Sequence, residues 1–214
     1  MRDSRIARRS IRATSAAMTK RIIAESCVGT IIDVQDFFLS QLDGAKARER
    51  MESNTVNFAR LLGYFRIPIV ATLERPVDGK GSLPDALAAE LGHGKIFEKD
   101  FFDLTREQTI RDHLALLNKK QAIVAGCETD VCVLQSCLGL INLGYEVFAV
   151  EDLIFSSAYE VEAALARMNA AGVVFLSYKT LYYELLQAVG GSPHAGAMLA
   201  AFRPFPDDLP DQAV

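Results

Sequence analysis

Short apolar segments alternate with helical segments along most of the chain, and this alternation constrains the fold more than any other feature. Apolar strands without a polar face are typical of a parallel sheet that helices cover on both sides. The sequence therefore predicts an α/β fold with three α/β/α layers and a mostly parallel central sheet of five or six strands. Five segments read as strands: CVGTIID (27–33), PIVATLE (68–74), QAIVAGC (121–127), EVFAVED (146–152) and VVFLSY (173–178).

The chain divides into one domain and two terminal segments of different composition. Residues 26–190 contain no repeat and no linker, and this length suffices for one domain with a buried core. Residues 1–25 form a basic arm, which is disordered, covers a partner, precedes a true start at Met18, or is an organelle transit peptide. Residues 191–214, which are rich in proline near the end, are expected to form a tail without its own core.

The charge and the cysteine content argue against several kinds of partner. A net charge of -4 gives no reason to expect nucleic acid or an anionic membrane, and no apolar run reaches the roughly 20 residues of a membrane span. Four cysteines without a secretory signal favour reduced thiols and a cytoplasmic location, with a mitochondrion or another organelle as the alternative. The three histidines lack metal-ligand spacing, so neither a metal nor another cofactor is expected.

Two charged residues stand where apolar segments end, which is where ligands bind in parallel sheets. Asp33 directly follows VGTII, where a buried carboxylate without a partner would be costly. It is either a site residue or the cap of a turn. Lys99 follows a short apolar stretch, and a lone lysine between two acids such as Glu98 and Asp100 is usually a solvated surface charge.

Cys132 lies where the third strand passes into a helix that the pattern predicts from about Asp130 to Leu143. The backbone N–H groups of the first turn would favour its thiolate, and a nearby lysine would lower the pKa of the thiol further. The alternative is a small buried apolar residue, which suits Cys127 and Cys137 better. The C-x4-C spacings do not match the cysteine pairs of a zinc site.

The motifs around these residues resemble the isochorismatase-like cysteine hydrolases, a family that includes nicotinamidases, carbamoyl-amide hydrolases and isochorismatases. IIDVQDFFL, EKDFF and GCETDVCVLQSCLGLINLGYEVFAVED stand in the family's order and spacing, and the resemblance covers roughly residues 27–190. It implies a Rossmann-like sheet and a catalytic triad of Asp33, Lys99 and Cys132. It also implies oxyanion donors at the backbone N–H groups of Glu128 and Cys132, with a cis peptide bond before Glu128.

One departure from the family pattern narrows the expected chemistry to metal-independent cleavage. Nicotinamidases carry Asp-x-His after the second strand, whereas here that strand ends Glu74-Arg75-Pro76 and no histidine follows before His93. Members that cleave the vinyl ether of isochorismate can lack the cysteine, so Cys132 favours hydrolysis of an amide or carbamoyl C–N bond. Vinyl-ether hydrolysis and a non-catalytic interaction module with an ordinary thiol pKa stay open as alternatives.

The sequence says less about the residues of the substrate pocket and about the oligomeric state than about the catalytic residues. Gln35, Phe37, Phe38 and Phe102 are the candidate lining of a pocket for a small-molecule substrate. The aromatic residues could instead pack in the core or close the site against another subunit. The resemblance implies a homo-oligomer, either a dimer or a tetramer.

Overall fold

The computed structural model describes residues 20–187 and, beyond them, Ala197. The predictions for the first 19 residues and for nearly all of the C-terminal tail fall outside these residues. Six strands form one sheet in the order β3-β2-β1-β4-β5-β6, and all neighbouring strands are parallel. The strands are β1 (Cys27–Ile32), β2 (Ile69–Glu74), β3 (Lys95–Lys99), β4 (Gln121–Cys127), β5 (Glu146–Phe155) and β6 (Val174–Leu176).

Helices cover both faces of this sheet. One buried cluster includes Phe58 and Leu181, and the other, on the opposite face, includes Leu140 and Met168. The predicted three-layer α/β/α fold is therefore confirmed, with a sheet that is parallel throughout. The helices are α1 (Asp36–Leu39), α2 (Ala45–Tyr64), α3 (Val77–Lys80), α4 (Asp85–Glu90), α5 (Gln108–Leu117), α6 (Leu134–Asn142), α7 (Glu162–Ala171) and α8 (Tyr178–Leu186). Within residues 20–187, none of them has the length and apolar character needed to cross a bilayer.

Two local differences from the sequence-based reading lie beside the site. Strand β3 is an exposed edge strand, and KIFEK holds too few apolar residues to read as a buried strand. The helix predicted from about Asp130 instead begins as a π-helical turn, Thr129–Val133, before α6. Such turns insert an extra residue per turn and often accompany functional sites.

The last residues of the predicted basic arm pack against the domain. Ile22 is buried, and its backbone N–H donates to the carboxylate of Glu184. The N–H of Ile23 donates to the side-chain oxygen of Gln121 at 2.8 Å. Ordered packing therefore begins before residue 26.

The strand order reverses at the boundary between β1 and β4. The chain proceeds from β1 to β2 and β3 on one side, and from β4 to β5 and β6 on the other. A crevice forms outside the carboxyl ends of the strands at such a point. Strands β1 and β4 approach each other very closely there. Only glycine fits at position 126, because a Cβ would lie 2.0 Å from the carbonyl oxygen of Ile32.

Candidate active site

Four polar side chains from four different elements meet at this crevice. Asp33 follows the last residue of β1, Glu74 ends β2 and Lys99 ends β3. Cys132 lies in the π-helical turn after β4. Parallel strands end at the same edge of a sheet, which is why residues so distant in sequence become neighbours here.

The three residues predicted as a triad are in mutual contact and buried. The Nζ of Lys99 lies 2.6 Å from Oδ2 of Asp33 and 3.4 Å from Sγ of Cys132. Asp33 and Lys99 are fully buried, and Cys132 is 2% exposed. Burial of a lysine requires such pairing, because an unpaired ammonium in the protein interior would lose its proton or destabilise the fold.

The backbone of Asp33 adopts a left-handed conformation, with φ of 52°. This region is uncommon for residues with a Cβ, so neighbouring groups must hold it. The N–H of Asp33 donates to the carbonyl of Thr72 at 3.1 Å, and the Cys127 thiol donates to the Asp33 carbonyl at 2.9 Å. The hydroxyl of Thr72 donates to Oδ1 at 2.8 Å, which leaves the second carboxylate oxygen facing Lys99.

Glu74 is a fourth member of the site that the sequence-based prediction missed. The Cys132 thiol donates to its Oε2 at 3.0 Å, and the ammonium of Lys99 lies 3.6 Å from the same oxygen. The other oxygen pairs with Lys80 of α3. One signal was available in the sequence: Thr72 and Glu74 are two residues apart, and alternate residues of a strand share a face.

Gln35 holds the end of β2 in place. The N–H of Glu74 donates to the side-chain oxygen of Gln35 at 2.7 Å. The side-chain amide of Gln35 donates to the carbonyls of Gly81 at 2.7 Å and Glu74 at 3.3 Å. Gln35 is fully buried, so the structure places this predicted pocket residue behind the site as a brace.

The charges around Cys132 favour a neutral thiol. Burial raises the pKa of this thiol, and so do the carboxylates of Asp33 and Glu74, against the opposing effect of Lys99. The negative charges of the two carboxylates are already balanced by the ammonium groups of Lys99 and Lys80. A thiolate would add a third negative charge to the site. Lys99 does lower the pKa of the thiol, as expected, but burial and the two carboxylates outweigh it.

The pKa values of the other ionisable groups in the site are shifted by their burial and by their charged neighbours. Burial raises the pKa of Asp33, although the ammonium of Lys99 opposes this effect. Burial alone would lower the pKa of Lys99, but the Asp33 carboxylate and the Cys132 sulfur raise it overall. The pKa of Glu74 is lowered because hydrogen bonds from Cys132 and Lys80 outweigh its partial burial.

The backbone before Cys132 has the conformation that the resemblance implied. The peptide bond between Cys127 and Glu128 is cis. The N–H groups of Val131 and Val133 both donate to the carbonyl of Glu128, at 3.1 and 3.0 Å. The assignment of the Glu128 and Cys132 N–H groups as oxyanion donors stays a prediction.

The aromatic residues predicted to line a pocket lie in different environments. Phe38 is 8% exposed and packs in the core, with the ammonium of Lys80 5.7 Å from its ring centre. Phe37 and Phe102 are 45% and 50% exposed. The rings of Phe37 and Phe38 are in edge-to-face contact, with centres 5.2 Å apart, but of the three aromatic candidates only Phe37 and Phe102 are exposed enough to meet a ligand or another subunit.

Three possible metal ligands occur in the site, and Lys99 lies among them. Ligand atoms of Asp33, Glu74 and Cys132 lie within 4.8 Å of one another. The ammonium of Lys99 contacts all three groups. A divalent cation would meet this positive charge at close range, so the donor set suits a lysine better than a metal.

A buried cysteine, lysine and aspartate at the switch point of a parallel sheet define an α/β protein with a thiol-based site. The isochorismatase domain model matches residues 29–180. The chain therefore belongs to the isochorismatase family and is a hydrolase of the isochorismatase superfamily.

Known relatives support this assignment, and a solved structure shares the fold. Isochorismatase family protein 2A of Dictyostelium discoideum is 30% identical over 184 residues, which cover 80% of this chain and 88% of the relative. Secreted isochorismatase effector Isc1 of Phytophthora sojae is 30% identical over 176 residues, which cover 79% and 81%. The fold matches YcaC of Escherichia coli, described as an octameric hydrolase of unknown specificity, with a TM-score of 0.77 and 21% identity over 86% of this chain and 91% of YcaC.

Proposed function

We propose that this protein is a metal-independent cysteine hydrolase that cleaves the C–N bond of a small amide or carbamoyl compound through a thioester on Cys132. The observation that carries this proposal is the buried contact between the Cys132 sulfur and the Lys99 ammonium, which also pairs with Asp33. A thiol, a carboxylate and a cation at one point are what nucleophilic attack on a carbonyl requires.

In the first half-reaction the Cys132 sulfur attacks the carbonyl carbon and its proton passes to the Asp33 carboxylate. Burial raises the pKa of this carboxyl, which makes the carboxylate a better base than an exposed aspartate. The C–N bond breaks when Asp33 returns the proton to the leaving nitrogen. The products are a free amine or ammonia and a thioester on Cys132.

In the second half-reaction a water molecule attacks the thioester. Asp33 takes one proton from the water, and the sulfur leaves and regains a proton as the acid product forms. Each half-reaction passes through an oxyanion, which the backbone N–H groups of Glu128 and Cys132 would stabilise. Lys99 keeps a positive charge beside the sulfur and the carboxylate throughout, because its own pKa is raised.

The test is a screen of small amides, ureas and carbamates, scored by release of ammonia. The parent protein is expected to turn over at least one compound, and Cys132→Ala should abolish this turnover while thermal unfolding stays cooperative. Cys137→Ala is the matched control, because that thiol is also buried but burial alone raises its pKa, with no contribution from a carboxylate or a lysine. Full activity of Cys132→Ala on the same compound would refute the nucleophile assignment.

Vinyl-ether hydrolysis of the isochorismate type is the second candidate function, and the raised pKa of Asp33 favours it. Because burial raises the pKa of this carboxyl, it takes up a proton more readily than an exposed aspartate does, and in that form it can protonate a vinyl ether without a thiol. Under this alternative, cleavage of isochorismate persists after iodoacetamide has blocked Cys132. Under the thioester mechanism, the blocked protein is inactive toward every substrate of the parent.

We also propose that the protein forms a homo-oligomer and is located in the cytoplasm. Phe37 and Phe102 are exposed, and YcaC, which shares the fold, is an octamer. A homo-oligomer of two or more subunits fits both facts, with a small molecule as the ligand. A cytoplasmic location fits the four free cysteines among the described residues, although the relative Isc1 is a secreted effector.

A further inference from the structure

The thiol of Cys132 has two acidic neighbours, and it donates its hydrogen bond to the one outside the predicted triad. Sγ lies 3.0 Å from Oε2 of Glu74. Asp33 is also within hydrogen-bond reach of the thiol, but each of its oxygens has another close partner, the hydroxyl of Thr72 for one and the ammonium of Lys99 for the other. The 3.0 Å contact with Glu74 is therefore the main hydrogen bond of the Cys132 thiol.

Glu74 is held for this contact from three sides. Its second oxygen pairs with Lys80, and its backbone N–H donates to Gln35. Lys99 of the neighbouring strand stands opposite it in the β2–β3 register and lies 3.6 Å from Oε2. A carboxylate with this many partners does not rotate freely, so the thiol contact is a fixed feature of the site.

We propose that Glu74 is a positioning residue that holds the hydrogen of the Cys132 thiol and keeps this nucleophile neutral until a substrate enters. A neutral thiol resists oxidants and electrophiles, because the thiolate is the reactive form. The inference rests on the proposed function in so far as it treats Cys132 as the nucleophile.

The proposal predicts opposite effects for the two partners of one ion pair. Removing the Glu74 charge takes a negative group from beside the sulfur, so more thiolate forms at a given pH. Removing the Lys80 charge leaves the negative charge of Glu74 without its ion-pair partner. This charge then disfavours the thiolate more strongly, so less thiolate forms. Besides Glu74 on β2, the charged or titratable groups that face the thiol from the surrounding elements are Asp33 after β1, Lys99 on β3 and Cys127 on β4, and Lys80 on α3 faces Glu74.

The experiment measures the alkylation rate of Cys132 by iodoacetamide at several pH values, by mass spectrometry of the peptide that contains it. The small uncharged reagent suits a thiol that is only 2% exposed. Glu74→Gln is expected to react about three to ten times faster than the parent, since each pKa unit gives tenfold more thiolate and a lower-pKa thiolate is a weaker nucleophile. Lys80→Met, which keeps the apolar stem beside Phe38, should react more slowly than the parent.

The matched control is Glu98→Gln, which removes an exposed carboxylate paired with Arg75 on β3 and should leave the rate unchanged. Loosening of the site would speed alkylation in both site variants, so equal acceleration overturns the proposal. Slower or unchanged alkylation of Glu74→Gln also overturns it. Alkylation needs no turnover, so opposite shifts with no active compound in the amide screen would support this inference while the proposed function fails.

Discussion

The two ends of the sheet each hold a buried cysteine with polar partners, and the partners differ in kind. At the amino ends, the Cys27 thiol donates to the carbonyl of Ile23 at 3.2 Å and lies 3.4 Å from the amide oxygen of Gln121. At the carboxyl ends, the Cys132 thiol contacts a lysine and a glutamate. Burial is the largest cause of the raised thiol pKa at both sites.

The difference lies in the groups that contact each thiol, which are a carbonyl and a neutral amide at Cys27 and a lysine and a glutamate at Cys132. Gln121 is neutral, and its amide is satisfied by the carbonyl of Arg21 and the carboxylate of Glu146. Around Cys132, the proposed mechanism has Asp33 take up and return a proton while Lys99 keeps its positive charge. We therefore expect Cys27 to be an inert thiol and Cys132, beside a balanced set of charges, to be one that a substrate can activate.

The largest expected effect comes from removing the base at the carboxyl ends. Asp33→Asn keeps the shape of the side chain but cannot accept the thiol proton, so turnover should fall about a thousandfold, as for the loss of a general base. The measurement is the rate of ammonia release on the compound found by the screen. Asp36→Asn, which alters an exposed carboxylate paired with Arg48, should leave that rate unchanged.

Removing the cation should affect stability as well as activity. Lys99→Met leaves the carboxylate of Asp33 buried without its ion-pair partner, which costs about 3 kcal/mol in the free energy of unfolding. Urea unfolding measures this cost. The exposed Lys95 on the same strand gives the control, since Lys95→Met should change stability by less than about 0.5 kcal/mol. Equal effects of the two substitutions would contradict the buried ion pair.

The stability that Lys99 provides should disappear at alkaline pH. Its pKa is raised above the ordinary value of 10.5, so the folded protein holds this proton more tightly than the unfolded chain does. The contribution is fully present below pH 10.5 and is lost as pH rises through the raised pKa. The difference in unfolding free energy between the parent and Lys99→Met should therefore shrink above that pH, and a difference that widens there would be inconsistent with the raised pKa.

The smallest effect is expected at the amino ends of the strands. Cys27→Ala removes a buried sulfur from the core and should lower the free energy of unfolding by about 1 kcal/mol. Neither turnover nor the alkylation rate of Cys132 should change. Loss of activity in this variant without a matching loss of stability would show that the two ends of the sheet do not act independently.

Most of the fold could be predicted from the sequence because the buried strands are continuously apolar. The exposed edge strand β3 was missed, since nothing in KIFEK distinguishes a half-covered strand from a loop. The triad candidates Asp33, Lys99 and Cys132 were found by their motifs and by their places at strand ends. Their contact distances come from strand order, which the sequence pattern does not specify.

The ionisation of the nucleophile could not be predicted in the same way. The sequence shows a lysine and a helix start, and both favour a thiolate. Burial of the thiol is the largest opposing cause, and a second carboxylate joins Asp33 only when β2 takes its place beside β1 and brings Glu74 to the thiol. Lys80 pairs with Glu74 because α3 follows β2 after a short turn. Long-range electrostatics of this kind depends on distances that no local pattern records.

The most direct test of the central claim is to trap the covalent intermediate. The parent protein is mixed with the active compound from the screen, quenched in acid within the first turnover, digested and analysed by mass spectrometry. We predict an acyl adduct on the peptide that contains Cys132, formed as ammonia or amine is released and absent from Asp33→Asn. Turnover at the full rate with no adduct on Cys132, or with the adduct on another residue, would contradict the account.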